Sequence, residues 1–281
     1  MTSYDKWITA VSTSHRDYEF LKRMKDCGID GIELSVGWQY CDDIDWEDFR
    51  MNADAAGIMI FSYHLPFSND INIADPVEAR RDGAVKYQAS LMRKAAAVGI
   101  DRFIIHPSAA PIPVEERAVW MKAAKISLKE LAQIADELNS VLCVEDLPRS
   151  CLGHNAAEMQ ELLAVDDRLR VCFDVNHLLT GFGTTHTEFV EKLGHLIVTT
   201  HMSDYDFIDE KHFFPGYGLI DWKEVVEALE MADYNGPFLY EGGFSPNDQS
   251  AEPPYGRFED AKWRHMHIKE LRGRMISVNK P

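Results

Sequence analysis

The chain has 281 residues, a hydrophobic fraction of 46% and a formal net charge of −17 at pH 7. Its longest apolar runs are strand-sized, well short of the roughly 20 residues that a membrane span requires, so no membrane association is expected. The acidic balance repels polyanions at long range, and we therefore expect no nucleic-acid partner.

The amino-terminal segment lacks the basic region, long apolar block and small-residue cleavage site of a secretory signal, which predicts a cytoplasmic protein. The five cysteines are odd in number and form no CxxC pair, so we expect them to behave as small hydrophobic side chains. No linker-like or low-complexity stretch divides the chain. We therefore expect one domain over residues 1–281.

Along the chain, short apolar runs alternate about eight times with polar loops and amphipathic helical patterns. This alternation predicts an α/β fold of the (β/α)8 barrel type, with parallel strands. The predicted strands are Trp7–Val11, Gly31–Val36, Ile58–His64, Arg102–His106, Val141–Glu145, Val171–Asp174, Ile197–His201 and Phe238–Glu241. The predicted helices are Asp17–Cys27, Trp46–Ala56, Pro76–Val98, Val114–Leu138, Ala156–Ala164, Thr187–Leu193, Trp222–Met231 and Phe258–Arg272. The loop Ser245–Pro254 after the last strand is a candidate lid.

Four of the predicted strands end in a side chain that can bind a metal ion. These residues are Glu145, Asp174, His201 and Glu241. The C-terminal strand ends of a (β/α)8 barrel meet at one face, which is where such barrels carry their active sites. Three carboxylates and one imidazole form an oxygen-rich donor set, which favours Mn²⁺, with Mg²⁺, Co²⁺ or Zn²⁺ as alternatives. The sequence therefore predicts a metal-dependent enzyme.

The order and spacing of these motifs resemble the xylose isomerase-like barrel superfamily of sugar isomerases and epimerases. The resemblance spans nearly the whole chain through DGIELS, VEDLP, FDVNH, HMSD, PGYGLIDW and YEGG. Members similar to tagatose and psicose 3-epimerases bind one divalent metal through Glu, Asp, His and Glu, which implies Glu145, Asp174, His201 and Glu241 here. The resemblance also implies that Glu145 and Glu241 act as the catalytic acid and base on opposite faces of a carbon next to a carbonyl.

A small carbohydrate substrate follows from this resemblance. His177, three residues after Asp174, matches a substrate-binding histidine of the family. Further substrate contacts are predicted at or near the strand ends, from Glu33, Trp38, His64, His106 and Arg149. Arg149 directly follows VEDLP and is the nearby cation that could contact an acidic or hydroxylated substrate group. Many barrels of this superfamily form dimers or tetramers, so a homo-oligomer is one expectation.

Three alternatives remain open. The same metal and bases support elimination, so a lyase or dehydratase acting on a keto-sugar, an inosose or a 3-keto-glycoside is the runner-up. Apurinic-site endonucleases of the same superfamily hold a three-metal cluster with extra histidines, for which His64, His106 and His177 are candidates. Their Asp-x-His pattern is replaced here by Glu210 and His212. A barrel that only binds is the third alternative, although several carboxylates around an empty site repel one another.

Overall fold

The computed structural model describes residues 7–178, 183–244 and 253–271. Within these ranges eight strands alternate with eight α-helices. The strands are β1 Thr9–Thr13, β2 Gly31–Ser35, β3 Met59–His64, β4 Arg102–Ile105, β5 Val141–Glu145, β6 Arg170–Asp174, β7 Ile197–His201 and β8 Phe238–Tyr240. The helices are α1 Tyr18–Asp26, α2 Trp46–Ala56, α3 Glu78–Ala97, α4 Arg117–Glu137, α5 Ala156–Leu163, α6 His186–Leu193, α7 Trp222–Met231 and α8 Phe258–Met266.

All strand pairs are parallel, in the order β7-β6-β5-β4-β3-β2-β1-β8. The two ends of this order approach each other at a bridge between Met202 and Tyr240, where the Met202 N–H donates to the Leu239 carbonyl at 2.8 Å. The sheet is therefore a nearly closed barrel, which confirms the predicted (β/α)8 fold. None of the described helices is both long and apolar enough to cross a membrane.

The predicted element boundaries agree closely with the structure, with two informative differences. β1 begins two residues later than predicted because Trp7 lies before the strand, where its Nε1–H donates to the Tyr234 carbonyl. The last helix ends at Met266 and is followed by a short 3-10 turn, Ile268–Glu270. Most of the predicted lid, Ser245–Pro254, lies outside the described residues.

The C-terminal ends of the strands position the candidate site. β5, β6 and β7 end at Glu145, Asp174 and His201, and Glu241 directly follows β8. Helices cover the outside of the sheet and bury a large apolar core, whereas a small cluster of Ile104, Cys143 and Cys172 forms a second apolar group on the strands. Because this packing fixes the strands, Glu145, Asp174 and His201 project from a rigid support.

The loop between β7 and α7 is organised by the buried Asp204. Its Oδ2 accepts hydrogen bonds from the Gly216 N–H at 2.7 Å and from Trp222 Nε1–H at 2.9 Å. Its Oδ1 accepts from the Ile220 N–H at 3.1 Å. A Cβ added to Gly218 would lie 2.2 Å from Asp204 Oδ1, so only glycine fits there. The HMSD and PGYGLIDW motifs are therefore hydrogen-bonded to each other within one loop.

We predict that Asp204→Ala lowers the free energy of unfolding by about 3 kcal/mol, because several buried donors lose their acceptor and each costs about 1–3 kcal/mol. Trp222→Phe keeps the ring but removes one donor, and we expect a smaller loss of about 1 kcal/mol. Urea unfolding of the two variants measures the difference. Equal losses, or a loss below about 1 kcal/mol for Asp204→Ala, would contradict the role of this carboxylate.

Candidate metal centre

The four residues predicted to bind metal converge at the C-terminal mouth of the barrel. His201 Nδ1 lies 3.0 Å from Glu145 Oε1, 3.5 Å from Glu241 Oε1 and 3.9 Å from Asp174 Oδ2. One imidazole nitrogen thus faces carboxylates from three different parts of the barrel. This arrangement suits a cation that shares the nitrogen and the carboxylate oxygens.

The contact made by the other imidazole nitrogen, His201 Nε2, determines which ring nitrogen is free to bind a cation. His201 Nε2 lies 3.0 Å from Glu33 Oε1, and Glu33 Oε2 accepts a hydrogen bond from Ser62 Oγ at 2.7 Å. With a cation bound, a carboxylate that accepts the Nε2–H would leave the Nδ1 lone pair free for that cation, as in carboxylate–histidine–metal arrangements. Glu33 is therefore placed behind His201, and its contact with substrate stays a prediction.

Asp174 carries a buried oxygen atom that no hydrogen bond satisfies. Its Oδ1 accepts from the Asn176 N–H at 2.7 Å, whereas Oδ2 is buried without a hydrogen bond. A buried polar atom without a partner is costly, and a divalent cation would satisfy it. The donor set, the orientation of His201 and this oxygen atom all fit a divalent cation bound by Glu145, Asp174, His201 and Glu241.

The pKa values of these groups follow from burial and from their mutual charges. Burial raises the pKa of the Asp174 carboxyl well above its usual range, and the neighbouring Glu241 adds to this shift. Burial has the same tendency at Glu145, but the facing imidazoles of His201 and His106 hold its pKa well below its usual range. Without a cation, Asp174 thus tends to keep its own proton and the charge of Glu145 is balanced by its neighbouring imidazoles; a divalent cation would replace these protons.

Two further predicted site residues, His64 and His106, both contact the second oxygen atom of Glu145, Oε2. His64 Nε2 lies 2.9 Å and His106 Nε2 lies 3.0 Å from Glu145 Oε2. His64 donates its Nδ1–H to the Leu65 carbonyl at 2.9 Å, so its Nε2 is the atom directed at the carboxylate. The ring of Phe67 stacks on His106 at a centroid distance of 3.9 Å. Both histidines therefore belong to the same cluster as Glu145.

A second group of imidazoles and a carboxylate lies beside the four-residue set. His177 donates its Nδ1–H to the Asp146 carbonyl at 2.7 Å, and its Nε2 lies 3.3 Å from Asp174 Oδ2 and 3.8 Å from Glu210 Oε1. His212 Nε2 lies 2.9 Å from the same Glu210 oxygen atom. We call His177, Glu210 and His212 the outer cluster.

Asp146, which no sequence pattern singled out, holds the backbone of Asp174 in place. Asp146 Oδ1 accepts from the Asp174 N–H at 2.8 Å, and burial raises the pKa of its carboxyl to about 7. Its position directly after Glu145 in VEDLP was visible, but nothing in the sequence shows that its side chain would turn toward the next strand.

The remaining two residues that were predicted to bind substrate, Trp38 and Arg149, make their contacts outside the four-residue set. Trp38 is partly buried and packs against the hydrophobic core, and its carbonyl accepts from Tyr87 Oη at 3.4 Å. Arg149 Nη1 lies 3.0 Å from Glu210 Oε2, and its Nη2 lies 2.7 Å from Asp209 Oδ1. The guanidinium group of Arg149 is thus engaged by two carboxylates of the β7–α7 loop, and a substrate contact of either residue stays a prediction.

Comparison with known proteins gives one family. The family model described as a xylose isomerase-like TIM barrel matches residues 21–264. An uncharacterized protein of Methanocaldococcus jannaschii is 27% identical over 187 residues, which cover 62% of this chain and 61% of the relative, less than two thirds of its length. The D-psicose 3-epimerase of Ruminiclostridium cellulolyticum is 24% identical over 246 residues, covering 81% of this chain and 80% of the relative.

Among solved structures, a D-tagatose 3-epimerase-like protein superposes with a TM-score of 0.76 and 21% sequence identity. The superposition covers 94% of this chain and 98% of that protein. It shows that the two proteins share their fold over almost their full lengths. Together with the match of the family model over most of the chain, the eight parallel strands identify this protein as a member of the xylose isomerase-like TIM barrel family.

Proposed function

We propose that the protein is a divalent-metal-dependent sugar isomerase or epimerase that abstracts a proton next to the carbonyl of a ketose or keto-sugar. The observation that carries this proposal is the convergence of Glu145, Asp174 and Glu241 on His201 Nδ1. The printed activity of the psicose 3-epimerase relative supports the choice of substrate class and reaction.

The proposed chemistry assigns different tasks to the residues of the centre. A bound divalent cation supplies positive charge that stabilises the enediolate formed from a carbonyl and its neighbouring hydroxyl. Glu145 and Glu241 come from strands that are not neighbours in the barrel, so they approach a carbon between them from different directions. One carboxylate removes the proton and the other returns it on the opposite face.

The surroundings of the two carboxylates suggest how the tasks are divided. The side chain of Glu241 is 21% exposed, whereas that of Glu145 is 1% exposed. His64 and His106 both contact Glu145 Oε2 and hold that carboxylate in one orientation. Glu145 is therefore the fixed member of the pair and Glu241 the member on the open side.

We predict that Glu145→Gln and Glu241→Gln each lower turnover by about 10²- to 10⁴-fold, because the amide cannot accept the substrate proton. The measurement is deuterium incorporation from D₂O into free ketoses and 3-keto-glycosides, with Mn²⁺ or with chelator. Glu161→Gln, an exposed residue paired with Lys125 on the barrel exterior, is the matched control and retains full exchange. Near-normal exchange in either centre variant removes that residue from proton transfer.

The products of the same assay separate the runner-up reaction from epimerisation. An epimer that carries deuterium at the carbon next to the carbonyl indicates isomerase or epimerase chemistry. Release of water or of an aglycone indicates elimination by the same bases.

We also predict that cation binding releases protons near pH 7. Burial acts to lower the pKa of His64, but its hydrogen bond to Glu145 raises the pKa to about 9. His212 is likewise raised to about 9, against the effect of burial, by its hydrogen bond to Glu210. Both imidazoles are therefore protonated below pH 9, and a nearby cation displaces those protons.

Calorimetric titration of Mn²⁺ in two buffers with different ionisation enthalpies measures this release. We expect the apparent binding enthalpy to differ between the buffers at pH 7 and the difference to shrink above about pH 9, where His64 and His212 are already neutral. The same enthalpy in both buffers at pH 7 would show that no proton leaves.

One arrangement favours a second candidate function, a metal-dependent apurinic-site endonuclease. The outer cluster of His177, Glu210 and His212 and the pair of His64 and His106 offer donors for more than one cation. The net charge of −17 weighs against this function, because a phosphodiester backbone is bound by positive charge.

Metal content separates the two candidates. For a single-metal sugar enzyme we predict that His212→Ala retains about one bound cation per chain and most of its exchange activity, because His212 lies outside the four-residue set. Elemental analysis of the purified wild-type and variant proteins measures the ratio. More than one cation in the wild type, reduced by His212→Ala and accompanied by incision of abasic DNA, would support the endonuclease.

A further inference from the structure

Arg117 begins α4 on the mouth side of the barrel, and its side chain is only 18% exposed. Its guanidinium group forms a two-pronged ion pair with Glu158 of α5, in which Nε and Nη2 donate to the two carboxylate oxygen atoms. The same group donates from Nη1 to the Ser150 carbonyl and from Nη2 to the Cys151 carbonyl, each at 2.7 Å. One side chain of α4 thus holds α5 and the loop between β5 and α5 at the same time.

The carboxylate of Glu158 is itself bonded to this loop. Its Oε2 accepts a hydrogen bond from the Gly153 N–H at 3.0 Å. His154 Nδ1 lies 3.2 Å from the same oxygen atom and 3.0 Å from the Cys151 carbonyl oxygen, and it also contacts Arg117 Nη2. We call Arg117, His154 and Glu158 the loop anchor. Its guanidinium group can hardly turn, because each buried N–H that lost its acceptor would be left unsatisfied.

The loop between β4 and α4 is joined to the same segment of chain. Ser108 Oγ accepts a hydrogen bond from the Leu152 N–H at 3.0 Å, and Ser108 is 1% exposed. The Ile112 N–H donates to the Ser150 carbonyl at 3.0 Å. Together with the loop anchor, these bonds connect the loops after β4 and β5 along much of their length.

Each of these loops starts at a residue that contacts the candidate metal centre. The loop after β4 starts at His106, whose Nε2 lies 3.0 Å from Glu145 Oε2. The loop after β5 starts at Asp146, whose Oδ1 accepts from the Asp174 N–H at 2.8 Å and whose carbonyl accepts from His177 Nδ1 at 2.7 Å. A displacement of either loop therefore moves groups that contact Glu145 or Asp174.

The physical contribution of the loop anchor is geometric. A buried ion pair adds little net stability, because removing two charges from water offsets most of their attraction. A guanidinium group does fix geometry, since its donors lie in one rigid plane. Arg149, between Asp146 and the anchor, has a φ of 58°, an unfavourable conformation that persists where surrounding contacts determine it. The anchor thus holds a loop whose backbone would otherwise relax.

We propose that Arg117 is a positioning residue: paired with Glu158, it holds the loops after β4 and β5 as one unit and so keeps His106 and Asp146 in the orientation that the candidate centre requires. The inference rests on the proposed function for its effect on turnover. Its effects on the loops and on cation binding are measured without any substrate.

Amide hydrogen exchange, followed by mass spectrometry on the wild type and on Arg117→Ala, tests the loop unit directly. We expect faster exchange in residues 107–116 and 146–155 and unchanged exchange in β1, which lies across the barrel from β5. In calorimetric titration of the same samples, the Mn²⁺ dissociation constant rises at least about threefold, because the support of Asp174 by Asp146 is loosened. Faster exchange throughout the barrel, or an unchanged Mn²⁺ affinity, would overturn the proposal.

The matched control is Arg168→Ala. Arg168 also forms a two-pronged ion pair, with Asp166 at 2.8 and 2.6 Å, and reaches Asp136 of α4 at 2.8 Å. It lies just before β6, at the end of the barrel away from the mouth. This variant loses the same side chain but leaves amide exchange in the two mouth loops and the Mn²⁺ affinity unchanged. If it matched Arg117→Ala in both, the effect would be general destabilisation and the proposal would be wrong.

Turnover is measured by deuterium exchange with the cation-loaded protein. Arg117→Ala lowers kcat about tenfold and changes KM less, because the side chain acts through the orientation of other groups. Millimolar guanidinium ion restores part of kcat by donating to the same acceptors, whereas tetramethylammonium, which has no N–H, restores none. Arg117→Lys keeps the charge without the planar donors and stays below the wild type. Wild-type kcat in Arg117→Lys, or equal rescue by both cations, would contradict the positioning role.

Failure of the positioning role and failure of the proposed reaction give different results. If the wild type exchanges deuterium into no sugar while Arg117→Ala shows the expected changes in amide exchange and Mn²⁺ affinity, the proposed reaction is rejected and the positioning role is upheld. If the wild type is active and Arg117→Ala turns over normally, the positioning role is rejected and the proposed reaction stands.

Discussion

The mouth of this barrel is governed by one constraint, which is that buried carboxylates must be balanced by positive charge. Glu145, Asp174 and Glu241 approach the single nitrogen His201 Nδ1, and the side chains of Glu145 and Asp174 are buried. Like charges at such distances cannot all persist without compensation. The imidazoles of the cluster provide that compensation through protons, and a divalent cation would provide it more strongly. The strand ends, the tautomer of His201 and the two flanking histidines all serve this balance.

The fold and the residues of the candidate metal centre could be predicted from the sequence for a physical reason. Strands buried on both sides give apolar runs, and the first polar residue after such a run marks the strand end, as at Glu145 and Asp174. The parallel barrel then brings these ends together without further information. Glu33 was also predicted as a site residue, but it lies in the middle of β2, and its position behind His201 depends on side-chain packing that no local pattern encodes.

The loops were less predictable because their contacts join residues far apart in the chain. Asp204 was visible in HMSD, yet its hydrogen bonds to Gly216, Ile220 and Trp222 depend on how a long loop returns to its own start. The pairing of Arg149 with Asp209 and Glu210 spans about sixty residues and left no signal in the spacing of either segment. Such contacts follow only once the barrel has set the distance between two loops.

Because the barrel is only nearly closed, its strands support the carboxylates of Glu145 and Glu241 unequally. Glu145 ends a strand that is paired on both sides, with β4 and with β6. Glu241 follows a three-residue strand that pairs with β1 and meets its other neighbour at an isolated bridge, and it precedes Gly242 and Gly243, both with positive φ. The strand ladder therefore constrains Glu145 from both sides, whereas the backbone that carries Glu241 is constrained mainly from one side and has more freedom to adjust to a bound molecule.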